Sequence, residues 1–117
     1  MFVRRLMLPV FLGLVIVAAL ARSVMAHPTV DVVASNWKFT PAKISIPSGE
    51  PTTLRLTSSE GVHGIASEEL GIPNTTIMPK KFVEVTFTPK KSGTYVVHCS
   101  VVCGSGHDNM TLTVEVQ

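Results

Sequence analysis

Residues 98–110 read HCSVVCGSGHDNM, and within them Cys99, Cys103, His107 and Met110 follow the spacing C-x3-C-x3-H-x2-M. Another histidine, His63, lies upstream in EGVHG. Thiolate, imidazole and thioether together form a soft donor set. Thiolate and thioether suit copper, thiolate and imidazole also suit zinc, and the methionine tips the balance towards copper. Three chemistries therefore compete for these residues. A Cys99–Cys103 disulfide would fit an exported chain with two cysteines. That bridge closes a loop too short to restrain much, and it leaves His63, His107 and Met110 without a role. Oxidation to it is expected only of a metal-free protein. Zinc would take Cys99, Cys103, His107 and His63 as a tetrahedron and make no use of Met110. For copper, having two cysteines rather than one matters because each thiolate can bridge two ions. One electron is then shared between them, and bonds and solvent rearrange little on reduction.

Such a loop needs rigid elements on either side. From His27 onward the chain has no repeat and no sustained helical period, but short β-rich runs separated by Pro and Gly. TVDVVASNWKF is expected as a first strand ending at Thr40-Pro41, and KISIP as a second. In TTLRLTS, Leu54 and Leu56 alternate with Thr53, Arg55 and Thr57, the two-residue period of a half-buried strand. KFVEVTFT does the same with Val83, Val85 and Phe87, while TYVVHC and MTLTVEVQ are expected as the strands on either side of the cysteine loop. ASEELG, residues 66–71, is the one place for a turn of helix. About seven short strands make an all-β sandwich or small barrel. Within it His98 is out of phase with Cys99 and belongs on the opposite face. Trp37 is expected in the core, although an exposed aromatic near a metal would mark a docking surface. Met78 reads as a core or loop residue.

The first 26 residues read as a secretory signal: Arg4 and Arg5, an apolar run of 16 residues from Leu6 to Ala21, then RSVMA with Val24 and Ala26 at the cleavage-site positions. An uncleaved membrane anchor is the alternative, but the run falls short of the roughly 20 residues that cross a bilayer. Residues 27–117 are expected to form one small domain exported to the periplasm or beyond. That segment carries seven Lys and Arg against eight Asp and Glu, so the positive charge of the whole chain resides in the leader. No nucleic-acid-binding balance remains. Hydrolytic triads, phosphate-cradling glycine loops and poised carboxylate pairs are also absent from the sequence.

EGVHG and SGTYVVHCSVVCGSGHDNM, supported by NWKFTPAKISIPSGEPTTLRLTSS, resemble the CuA domain of cytochrome c oxidase subunit II, a cupredoxin. They are also similar to the electron-entry domain of nitrous oxide reductase. The resemblance runs over nearly all of residues 27–117 and implies a cupredoxin-like Greek-key sandwich or barrel with two copper ions. Carried over, Cys99 and Cys103 would bridge the ions and His63 and His107 would each terminate one. Met110 would be the weak ligand of one copper, and the backbone carbonyl of Val101 that of the other. The function implied is electron transfer from a c-type cytochrome or similar small donor to a terminal oxidase or reductase. The domain alone would catalyse no bond chemistry; at most it is the electron-entry subunit of an oxidase. A copper chaperone or buffer using the same loop is the alternative. Two positions depart from the family. Val101 stands where an acidic or amide side chain usually helps join the copper domain to the catalytic subunit. Glu60 replaces an Asp three residues before the first histidine, one methylene longer in its reach to His63.

Overall fold

The computed structural model describes residues 27–117. The expected leader, residues 1–26, and its cleavage lie outside the described residues. Among those that are described, no helix is long and apolar enough to cross a membrane.

The described residues form nine strands: β1 (Thr29–Ser35), β2 (Lys38–Thr40), β3 (Lys43–Ile46), β4 (Thr52–Ser58), β5 (His63–Ser67), β6 (Ile72–Ile77), β7 (Val83–Phe87), β8 (Gly93–His98) and β9 (Thr111–Val116). They form a four-stranded sheet in the order β2-β1-β4-β7, a three-stranded sheet β3-β9-β8, and a hairpin β5-β6. β1 pairs with β4, and β3 with β9, in parallel, so the chain passes from sheet to sheet between neighbours. One apolar cluster is shared by the layers: Val32, Leu54, Leu56 and Phe87 from the larger sheet, with Ile44, Val97, Leu112 and Val114 from the smaller. The all-β sandwich is borne out, and the sheets do not close into a barrel.

Alternation dictates most of this. In β4, Leu54 and Leu56 are buried between half-buried Thr53, Arg55 and Thr57, and in β9 Leu112, Val114 and Val116 are buried in the same rhythm. Fully burying a Leu or Val side chain contributes about 1.5–3 kcal/mol, so a one-residue slip of either strand would forfeit several such terms.

Two local expectations are corrected. The run from Thr29 to Phe39 is two strands, not one, because the chain reverses at Asn36-Trp37 and pairs Ser35 with Lys38 and Ala34 with Phe39. The reversal lets both Ala34 and Phe39 enter the core, and Asn is a residue that accommodates tight turns. ASEELG forms no helix. It ends β5 and supplies the turn to β6, with Gly71 at φ 75° and its N–H donating to the Glu68 carbonyl at 3.1 Å. The four residues left between the strands, Glu68–Gly71, are too few to recover the cost of nucleating a helix, and a positive φ is the conformation glycine adopts freely.

Candidate metal centre

Residues 99–110 join β8 to β9 at the rim of the smaller sheet. Strand phase aims the first donor: Val97 and Cys99 are buried while His98 is exposed on the other face, as its alternation requires. The loop is closed at its neck, where the Cys99 N–H donates to the Met110 carbonyl at 3.1 Å. A 3-10 turn at His107–Asn109 then folds the far side back, with the Met110 N–H on the His107 carbonyl at 3.1 Å. Met110 is 0% exposed, so its thioether points into the protein.

The upstream histidine arrives by sheet pairing. Ile65 bridges Cys99, and the Ser100 N–H donates to the Gly64 carbonyl at 3.0 Å, which sets the first residue of β5, His63, against the cysteines. Gly64 permits this close approach: a Cβ there would stand 2.6 Å from Ser100 Oγ and 2.8 Å from Val101 Cγ2.

The donor atoms converge. Cys99 Sγ and Cys103 Sγ are 3.5 Å apart as free thiols, well beyond the roughly 2.05 Å of a disulfide bond. His63 Nδ1 is 3.9 Å from Cys99 Sγ, and the Val101 carbonyl oxygen is 3.2 Å from the same sulfur. On the other side, His107 Nδ1 is 3.5 Å and Met110 Sδ 3.9 Å from Cys103 Sγ. All six residues singled out from the sequence thus lie around one sulfur pair. His63, Cys99 and Cys103 form the tightest group, their donor atoms within 4.8 Å of one another, and His107 joins through Cys103. His98 and Met78 are both exposed.

His63 is 0% exposed, and its Nε2 lies 2.8 Å from the Glu60 carbonyl oxygen. A carbonyl only accepts, so Nε2 carries a proton there, and in the neutral imidazole Nδ1 is left with its lone pair towards the sulfurs. Glu60 therefore orients His63 through its main chain, and the longer side chain expected to replace the family's Asp serves another contact: its Oε1 accepts the Asn36 N–H at 3.0 Å. The Ser58 hydroxyl, buried beneath this bend, lies 2.9 Å from the Glu60 carbonyl and 2.6 Å from that of Gly61.

Electrostatics favours a cation here. Desolvation, then the hydrogen bond and charge of Cys99 beside it, push the Cys103 thiol up to about 11. Two thiolates 3.5 Å apart in such a place must be matched by positive charge. The residues present fit a soft metal in chemistry as well as in convergence: two sulfurs, two imidazole Nδ1 atoms, a thioether and a carbonyl.

Trp37 is corrected. It is not a core residue but 40% exposed, and its indole N–H donates to the Cys103 carbonyl at 2.9 Å. The sequence signal for it was the pair of glycines in CGSGHD, which leave room for a flat ring: a Cβ on Gly106 would come within 2.5 Å of Trp37 Cδ2.

The profile of a family described as a cupredoxin-like domain matches residues 8–114. Over 89 residues the chain is 34% identical to cytochrome c oxidase subunit 2 of Thermus thermophilus, a match that covers 76% of this chain and 65% of that protein. The chain thus spans just under two thirds of that relative's length. Among solved structures, the periplasmic domain of cytochrome oxidase subunit II (CoxB) of Bradyrhizobium japonicum superposes with a TM-score of 0.69 at 17% identity, over 76% of this chain and 83% of that one. A chain from a haem-copper terminal oxidase dimer gives a TM-score of 0.68 at 26% identity, over 79% and 66% respectively.

Proposed function

The chain belongs to the cupredoxin-like domain family, and from that premise we propose that it is an electron-transfer domain holding two copper ions between Cys99 and Cys103. The single observation that carries this reading is the way the donors divide. His63 Nδ1 and the Val101 carbonyl attend Cys99, while His107 Nδ1 and Met110 Sδ attend Cys103. Each half holds one imidazole and one weak donor, and the two sulfurs between them are the donors that a pair of copper ions would share. A zinc tetrahedron leaves Met110 and the Val101 carbonyl idle.

Bound there, the copper pair would supply one-electron chemistry with the electron shared between two ions. The protein's part is to keep the donors still and dry. The Glu60 carbonyl holds His63 in one tautomer and one orientation. The neck hydrogen bond fixes Cys99 relative to Met110, and burial of His63, Cys99 and Met110 keeps water from the inner side of the site. Small movement on electron gain or loss is what such restraint provides. Copper delivery asks for the opposite, ligands that open readily, and the burial of three of them disfavours that alternative.

The reading extends to partners and place. The donor would be a c-type cytochrome or similar small redox protein, and the acceptor a terminal oxidase or reductase, with the domain outside the cytoplasmic membrane. The likeness to oxidase subunit II supports both. Copper quantification with EPR of the purified protein tests the claim. Two coppers per chain and one unpaired electron delocalised over both are expected; one copper per chain, or an electron confined to a single ion, refutes it.

A further inference from the structure

Among the described residues, the segment from Cys103 to Gly106 takes one hydrogen bond from outside the 99–110 loop. Its neighbours make hydrogen bonds within the loop: His107 N–H to the Gly104 carbonyl, Asn109 N–H to the Gly106 carbonyl, Met110 N–H to the His107 carbonyl. The loop's first residues are fastened elsewhere, Ser100 to the Gly64 carbonyl and, through its hydroxyl, to Asn74 Oδ1 at 2.8 Å. Among the described residues, the hydrogen bond that ties Cys103–Gly106 to anything outside the 99–110 loop is the one from Trp37 Nε1 to the Cys103 carbonyl, the contacts of Cys103 Sγ with Cys99, His107 and Met110 all lying within that loop. The same ring covers the segment. A Cβ on Gly104 would lie 3.1 Å from Trp37 Cζ2, and one on Gly106 2.7 Å from Trp37 Cβ, so the indole plane and both glycine backbones are in van der Waals contact.

The turn that presents Trp37 is itself fastened to the other half of the site. The Asn36 N–H donates to Glu60 Oε1. Asn36 Oδ1 also packs so closely on Gly61 that a Cβ there would come within 2.7 Å of it, and within 3.1 Å of His63 Nε2. Glu60 in turn holds His63 by its carbonyl. One turn therefore touches both halves: Asn36 the loop that carries His63, Trp37 the segment that carries Cys103 and leads into His107.

We propose that Trp37 is a positioning residue for the metal centre. Through its indole N–H on the Cys103 carbonyl and its ring across Gly104 and Gly106, it holds the Cys103–His107 half at a fixed distance from His63. The proposal rests on the copper reading for its spectroscopic consequence, but the mechanical link exists in the metal-free chain as well. Without the clasp, the strands, the neck and the Ser100 anchor persist, while Cys103 and His107 open and close more often.

Trp37→Phe keeps a ring over the glycines and removes the N–H; Trp37→Ala removes both. Val85→Ala, a core truncation in β7 remote in sequence from the loop, supplies a destabilised control. In the copper-loaded protein, Trp37→Phe is expected to release copper to a competing chelator about fivefold faster than the parent, the factor expected for one lost neutral hydrogen bond, and to change the copper hyperfine pattern. Val85→Ala should leave that pattern unchanged. In the metal-free protein at fixed pH, alkylation of Cys103 by iodoacetamide, located by peptide mass, should accelerate by a similar factor in Trp37→Phe while that of Cys99 does not. An unchanged hyperfine pattern together with unchanged Cys103 alkylation in Trp37→Phe overturns the proposal, whether or not Trp37→Ala folds. Equal acceleration at both cysteines, matched by Val85→Ala, also overturns it, since that result is general loosening. Should the parent bind no copper, the functional reading fails, and the alkylation comparison still decides the clasp.

Discussion

Gly64→Ala is the substitution whose effect on the metal site follows most directly from the structure. Its Cβ would stand 2.6 Å from Ser100 Oγ, 2.8 Å from Val101 Cγ2 and 3.0 Å from the Thr75 carbonyl oxygen. Carbon atoms rest about 3.5–4.0 Å apart, so Val101 must retreat by about 1 Å, or β5 must recede from β8 by as much. The Ser100 hydroxyl can swing aside only by giving up Asn74 Oδ1, and the Thr75 carbonyl belongs to β6, which is paired to β5. Relief therefore comes mainly from moving the cysteine loop outward, away from His63. Overpacking of this kind costs about 1–3 kcal/mol, which for a domain of this size lowers the melting temperature by about 5–20 °C. A shift of about 1 Å also separates Cys99 Sγ from His63 Nδ1 and displaces the Val101 carbonyl, both on the same half of the site. Copper titration of Gly64→Ala is expected to show that half weakened, with an EPR signal lacking the parental delocalisation. Adding Val101→Ala removes the Cγ2 clash and should restore part of both stability and signal, a non-additive pair as contacting residues give. Parental melting temperature and parental EPR signal in the single variant would refute the reasoning, and strict additivity in the double variant would assign the clash to the wrong neighbour.

Other consequences are simpler to state. Cys103→Ser removes one bridging sulfur, so the two-copper EPR signal should vanish; a parental spectrum in that variant would refute the ligand assignment. The raised Cys103 value, about 11 against an ordinary 9.0, means that the folded metal-free protein holds this proton more tightly than the unfolded chain. Its contribution to stability is complete below about pH 9 and is lost as pH rises towards 11. Chemical denaturation of the metal-free protein across that range should show the decline, and Cys103→Ser should flatten it. Ser58→Ala strips the hydroxyl from the carbonyls of Glu60 and Gly61 and is expected to cost about 1–3 kcal/mol; a loss under about 0.5 kcal/mol, within the scatter of ordinary surface changes, would show that this bend needs no such support. Met110→Leu roughly conserves volume at a buried position, so stability should fall by less than about 1.5 kcal/mol, whereas the copper spectrum should shift because the thioether is gone.

What the sequence revealed followed from strict periods. β4 and β9 alternate without interruption, so their inward residues are legible from the sequence, and the same rule separates Cys99 from His98. β5 and β6 went unrecognised because their burial does not alternate: in Ile72–Ile77 the pattern is one buried, two exposed, then buried and exposed by turns, with a shift of register between Ile65 and Ser67. Trp37 was misplaced for a different reason. Its large apolar ring favours burial in general, and its partner, the Cys103 carbonyl, is 66 residues away; no local pattern encodes a contact with a main-chain oxygen. Glu60 shows a finer limit. Its position beside His63 was read correctly, but main chain and carboxylate exchanged the work expected of them.

β9 is the middle strand of its sheet, with β3 in parallel on one side and β8 antiparallel on the other. Neither outer strand has a partner in that sheet until β9 arrives, and the neck joining Cys99 to Met110 cannot form before then. The β8–β9 pairing that closes the neck is local, His98 against Thr111, whereas β3 meets β9 from far along the chain, Lys43 against Thr113, and such a pairing is slower to establish. Until β9 pairs, the two thiols sit on a segment that no neck closes. β9 is therefore the latch of the cysteine loop: its docking turns two thiols along a chain into a sulfur pair held against Met110.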